Sequence, residues 1–240
     1  MTFSKRLALP LAIALMVALA LAGPSGAGPE SQAGENASNQ IGKIEDAIRV
    51  LEEMMKESDK SVPANLIEEA AGIAIIPDVI RAGLVIGGRH GKGVLLVRAG
   101  TGSWSDPAFI EITGGSIGWQ AGVQSADVIL VFRTPRSIEN FNEGKFTLGA
   151  DAGIAAGPVG RTAEASTDAE LKAEILSYSR SRGLFVGLTL QGSSIRSDRK
   201  ANRNFYGREV TPKEIFDGHA PAAPAVASKL KSVLADITRE

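Results

Sequence analysis

From Gly72 onward the apolar residues come in runs too short for helices. Ile73–Ile76, Gly83–Gly88, Val94–Val97, Phe109–Thr113, Val128–Phe132 and Leu184–Leu190 are separated by Gly and Ser. Short runs rich in β-branched side chains and bounded by turn formers predict strands joined as an antiparallel meander. Ile110 and Ile112 alternate with Glu111 and Thr113, so that strand has one apolar face. Leu184, Val186, Leu188 and Leu190 alternate in the same way with Phe185, Gly187 and Thr189. Val128–Phe132 is apolar throughout and requires cover on both faces. Glycine supplies 27 of the 240 residues, above the usual ~7%. Gly87, Gly118, Gly149, Gly153, Gly157 and Gly187 lie in or beside the runs. Glycines so placed mark bulges, bends or close backbone approach, and a coiled sheet turns corners on them.

Helices are expected on either side of this region. Ile41, Ile44, Ala47, Ile48, Leu51, Met54 and Met55 form an apolar stripe at helical spacing. The opposite face carries Glu45, Asp46, Glu52, Glu53 and Glu57 against Lys43, Arg49 and Lys56. A membrane-surface helix has a basic polar face, so this one is expected to pack on a core. Pro63 and Gly72 bracket a short helix around Ala64–Ala71, and Thr134-Pro135 starts another through Phe141. Thr211-Pro212-Lys213-Glu214 is a capping box, as is Thr167-Asp168-Ala169-Glu170 ahead of an expected strand at Glu174–Arg180. Val226, Leu230, Val233, Leu234 and Ile237 stripe a last helix. The fold class expected is α+β: a strongly coiled, Gly-rich antiparallel sheet or small barrel with packed peripheral helices.

Lys5 and Arg6 precede the apolar run Leu7–Ala22, which ends in small residues and is short for a membrane span. Residues 1–22 therefore read as a secretory signal peptide, cut after Ala22 or Ala27. Residues 23–39 read as a flexible linker and 40–240 as a single domain. The expected location is outside the cytoplasm, periplasmic or secreted, peripheral on an envelope membrane.

Lys+Arg is 26 against 27 Asp+Glu, which argues against a nucleic-acid binder. Without Cys there is no disulfide, thiolate metal site or cysteine nucleophile. His90 and His219 are far apart and no Asp-rich loop accompanies them, so neither a metal nor a cofactor is expected. Gly87–Gly93 departs from a phosphate loop: Gly93 stands where Ser or Thr would bind Mg²⁺, and an apolar strand follows. A hairpin turn fits that segment better. Gly114-Gly115-Ser116-Ile117-Gly118 matches G-x-S-x-G, with His219 as a downstream base. A serine esterase using Ser116 is one alternative function, although Trp119–Gly122 do not open an amphipathic helix behind it. A structural envelope domain that binds another protein is a second. Arg180 and Arg182 flank a turn, and Arg196, Arg199, Lys200, Arg203 and Arg208 stand close together against Asp198 and Glu209. Phosphates bind such clusters through charge and guanidinium forks.

The run Ser177–Gly192 resembles the SYLF lipid-binding domain family. Ala71–Pro77, Gly102–Pro107, Gly114–Gly122, Asp127-Val128-Ile129, Ala156–Arg161, Asn202 and Asn204–Gly207 are similar to it too. The resemblance implies a compact α+β domain that binds phospholipids, without a catalytic residue. Eukaryotic relatives bind phosphoinositides and actin filaments, beside Src-homology 3 or FYVE modules. With the leader, the chain reads as an exported member of bacterial type, where neither ligand is expected. The implied function is a non-enzymatic module that touches an anionic phospholipid surface. Arg180, Arg182, Arg196, Arg199, Lys200 and Arg203 would make the contact, and a protein partner is left open.

Overall fold

The computed structural model describes residues 29–56, 62–83, 86–100, 102–117, 122–142, 145–158 and 172–239. The expected leader, residues 1–22, and the Thr167–Glu170 capping box lie outside them. The chain divides into two units, Met1–Glu35 and Asn36–Glu240. The described residues of the first, 29–35, are helical, and all the described strands belong to the second. Helix α1 (Pro29–Met55) starts upstream of Gln40, within the segment read as a linker, and burial sets in at Gln40. Beyond it the apolar stripe is submerged, with Ile44, Ala47 and Leu51 fully buried.

Nine strands are described: β1 (Gly72–Gly83), β2 (Ile86–Val97), β3 (Ala108–Ile117), β4 (Gly122–Phe132), β5 (Lys145–Thr147), β6 (Ile154–Ala156), β7 (Ile175–Ser181), β8 (Leu184–Phe185) and β9 (Ser194–Ser197). Short helices α2 (Ala64–Glu68), α3 (Pro135–Asn142), α4 (Arg199–Tyr206) and α5 (Pro212–Phe216) and a longer α6 (Ala225–Ile237) surround them. The strands form one curled half-barrel in the order β5-β9-β3-β2-β1-β4-β7-β6, with β8 hung on β7. The α+β expectation holds. One pairing departs from the antiparallel meander, because β6 runs parallel to β7. The long connection between Ala156 and Ile175 permits it, where a tight hairpin would not.

Alternation sorts the strand residues into two cores. Ile73, Ile75, Ile129, Val131 and Leu176 pack with α1, Phe205 of α4 and Leu230 and Leu234 of α6. Ala74, Ile76, Val128, Leu130 and Phe132 pack with Ile138 and Phe141 of α3 and with Ile195 of β9. Every residue of Val128–Phe132 is buried, as a run without polar positions requires. Each such side chain contributes about 1.5–3 kcal/mol through burial.

Two expectations about the strands are corrected. Gly87–Gly93 is not a turn but the interior of β2. The reason lies in β1, which bulges between Ile75 and Ile80 against β2 and between Ile76 and Val79 against β4. The bulge brings β1 backbone close to β2. A Cβ at Gly93 would overlap the Ile75 carbonyl and the Ile76 Cα, and one at Gly91 would lie 2.8 Å from Val79 Cγ2. The second correction concerns Leu184–Leu190, of which only Leu184–Phe185 is strand. Arg182 (φ 49°) and Gly183 (φ 81°) make a tight two-residue turn that sets Leu184 opposite Ser181. After Val186 the chain peels away, burying Leu190 and leaving Leu184 and Val186 exposed.

The carboxy-terminal elements start as their sequence directs. The Asp198 carboxylate accepts from the Ala201 N–H at 3.0 Å to cap α4. Thr211 and Glu214 exchange the two bonds of a capping box on α5. Hydrogen bonds from Thr211 and Arg208 hold the Glu214 carboxyl below its usual range. Buried Asn202 ties α4 to β3, accepting from the Phe109 N–H at 2.8 Å and donating to the Phe109 carbonyl at 3.1 Å.

Candidate functional site

The ends of β1 and β4 and the β7–β8 turn surround an open depression of about 950 Å³. The β1 bulge shapes it. Asp78 holds a positive φ of 48°, and its N–H donates to Asp127 Oδ1 at 3.0 Å. The Ser125 hydroxyl donates to Asp78 Oδ1 at 3.1 Å. Burial, then the nearby charge of Asp78, pushes the Asp127 carboxyl above its usual value, against the pull of the Asp78 N–H bond. Arg81, Arg180 and Arg182 line the depression together with the apolar Val123, Val186 and Leu188. The Ser181 hydroxyl donates to the Ser125 carbonyl at 2.8 Å and fixes the turn against β4.

The six cations read from the sequence do not form one patch. Arg180 and Arg182 belong to this depression. Arg196 and Arg199 line a second groove, with Glu111, Glu209 and Glu214 beside them. β9, which carries Arg196, is separated from β7 by β3, β2, β1 and β4. At ~4.8 Å between strands, that is on the order of 20 Å along the sheet. Three of the six are neutralised: Arg180 by Glu53 at 3.2 Å, Arg203 by Glu209 at 2.9 Å, and Arg196 by Glu111. Arg182, Arg199 and Lys200 are exposed and form no ion pair among the described residues.

Residues that the linear reading missed join both places. Arg81, Asp78, Val123 and Asp127 enter the depression only because β1 pairs β4. At the groove, Lys92 stands opposite Glu111, and Glu111 opposite Arg196, in one row across β2, β3 and β9. Lys92 also donates to Asp198 at 2.6 Å. Burial opposes ionisation of Asp198, but hydrogen bonds from Lys92 and the Ala201 N–H outweigh it and hold the carboxyl below its usual value. Burial and the charge of Lys92 depress the Lys43 ammonium. The Lys92–Glu111 spacing in the sequence carries no sign of this row, since register is set by sheet pairing.

The esterase geometry is not found. Ser116 lies within β3, opposite Gly87 in a continuous ladder, and not on a strand-to-helix turn. G-x-S-x-G exposes its serine only through such a turn. Exposed His219 follows α5, where its carbonyl accepts from Arg208 at 3.2 Å. Gly118 lies outside the described residues.

A family model described as Ysc84, "Las17-binding protein actin regulator", matches residues 113–237. LAS seventeen-binding protein 3 of Saccharomyces cerevisiae is 38% identical over 172 residues, which cover 70% of this chain and 37% of that protein. Protein YSC84 of the same yeast is 37% identical over 177 residues, 72% of this chain and 38% of its own. Human SH3 domain-containing YSC84-like protein 1 is 35% identical over 183 residues, 76% of this chain and 53% of its own. The matched part thus spans about half or less of these relatives. The description of the family and the name of LAS seventeen-binding protein 3 record protein binding. This overturns the partner expectation of an anionic phospholipid surface with actin excluded and the protein partner left open. With a family match over more than half of its length and relatives at 35–38% identity, the chain belongs to the Ysc84 family, to which the SYLF resemblance pointed.

Proposed function

We propose that this chain is a protein-docking module of the actin-regulatory kind named for its relatives, and that the depression at the ends of β1, β4 and β7 receives the partner. One observation carries the reading. Among the described residues the exposed large apolar side chains are Ile80, Val123, Leu184 and Val186: Val123 and Val186 line this depression, Leu184 stands in the adjoining hairpin, and Ile80 lines a neighbouring pocket beside His90 and Lys92. Exposed apolar groups gathered beside arginines have the composition of a protein interface. Asp78 and Asp127 in the same depression favour a partner that brings both charge signs. No catalytic group is invoked.

The test is co-sedimentation with purified actin filaments and a pull-down on purified Las17, comparing the parent with the Val123→Glu/Leu184→Glu double variant. We expect micromolar binding to at least one of them, weakened about tenfold or more in the variant, with thermal unfolding little changed. Failure to bind either protein, or equal binding by the variant, would overturn the reading.

A further inference from the structure

Among the described residues, nothing takes up the backbone bonding capacity on the outer side of the β7–β8 hairpin. Its two-residue turn makes Ser181 and Leu184 the first hydrogen-bonded pair. Bonded and non-bonded pairs alternate along an antiparallel ladder, so Arg180 and Phe185 form a non-bonded pair and Ser179 and Val186 the next bonded one. The Val186 N–H does donate to the Ser179 carbonyl, at 2.8 Å. Phe185 therefore turns its N–H and C=O away from β7. Gly187 follows where the chain leaves β7, and among the described residues no acceptor receives its N–H.

This edge is also accessible. Leu184 is 65% and Val186 39% exposed. A Cβ placed on Gly187 would meet nothing within 4 Å, and Gly187 lines the depression. Sheet edges are blunted by shortness, Lys, Pro or a bulge; β8 is short, but Phe185-Val186-Gly187 carries no Lys, no Pro and no charge. Alternating N–H and C=O groups on a strand edge are matched by another extended backbone, which neither a headgroup nor a helix supplies. Arg182 stands in the turn at the end of this edge, exposed.

We infer that the outer edge of β8 takes an extended segment of a partner protein as an added strand. The segment carries apolar side chains at alternate positions, to meet Leu184 and Val186, and a carboxylate for Arg182. This rests on the docking reading above and names how that surface is used.

The probe is a fluorescein-labelled peptide, Thr-Val-Thr-Val-Asp-Val-Thr, titrated into the purified chain. Its counterpart N-methylated on the bonding edge is titrated alongside. Saturable binding is expected, weakened about tenfold or more by N-methylation. Gly187→Pro, which removes an N–H that has no acceptor among the described residues, should weaken it similarly, while Gly187→Ala keeps the N–H and binds like the parent. Arg182→Glu should weaken the Asp-containing peptide more than one with Asn in its place. Hydrogen exchange should show the Phe185 amide unprotected in the free chain and protected with the peptide. Three results would each overturn the inference: binding indifferent to N-methylation and to Gly187→Pro, a Phe185 amide already protected in the free chain, or pairing of β8 with a second copy, seen as self-association at the same concentrations. Should Val123→Glu/Leu184→Glu abolish binding to filaments or Las17 while the peptide does not bind, the docking surface stands and strand addition alone is lost.

Discussion

Asp127 shows how one side chain serves the bulge at a cost in charge. Its carboxylate receives the Asp78 N–H at 3.0 Å, yet burial and the Asp78 charge disfavour its ionised form. A carboxyl whose folded pKa is raised binds its proton more tightly in the folded state. Folding stability linked to this group therefore falls as pH rises from the ordinary carboxylate value through the raised one. Asp127→Asn keeps an acceptor and removes the charge. At pH 7 it should be as stable as the parent or more so, with the gap narrowing toward pH 4 in urea unfolding. Asp127→Ala leaves the Asp78 N–H without its acceptor and should cost about 1–2 kcal/mol. If Asp127→Asn and Asp127→Ala are equally destabilised, the clamp is unimportant. At this scale the sequence was least informative. Arg196 and Glu111 lie 85 positions apart, and Arg180 and Glu53 lie 127 apart. A count of cations along the chain registers neither neutralisation.

At the scale of elements, legibility followed the range of the forces involved. The stripes of α1 and α6, the Thr134-Pro135 start of α3 and the capping box of α5 all formed where their spacing indicated. A helix is built from neighbours three and four residues apart. Strand ends were harder to read. Gly91 and Gly93 looked like turn residues because turns and close approach both select glycine, and only the β1 bulge distinguishes them. Gly93→Ala should therefore cost about 2–4 kcal/mol, the penalty of overpacking against backbone that cannot move aside. Gly88→Ala, where a Cβ would lie 3.9 Å from the nearest atom, should stay within about 1 kcal/mol. Equal unfolding midpoints for the two variants would refute the close approach.

Over the whole molecule, the reading of residues 1–22 as a leader rests on the pattern of Lys5, Arg6 and Leu7–Ala22 alone. Expressed in full in a Gram-negative host, the product is expected outside the cytoplasm and beginning at Gly23 or Gly28, as read by intact mass and amino-terminal sequencing. A cytoplasmic product that keeps its amino terminus would exclude export. By itself the sequence determined the local features: the amphipathic helices and their caps, the run that must be covered on both faces, and the kinship carried by Ser177–Gly192. Only the tertiary structure decided the parallel β6–β7 pair, the bulge, the division of the cations between two sites and the hanging of β8 on β7. Those depend on register between segments far apart in the chain, and a shift of one residue would turn every side chain of a strand to its opposite face.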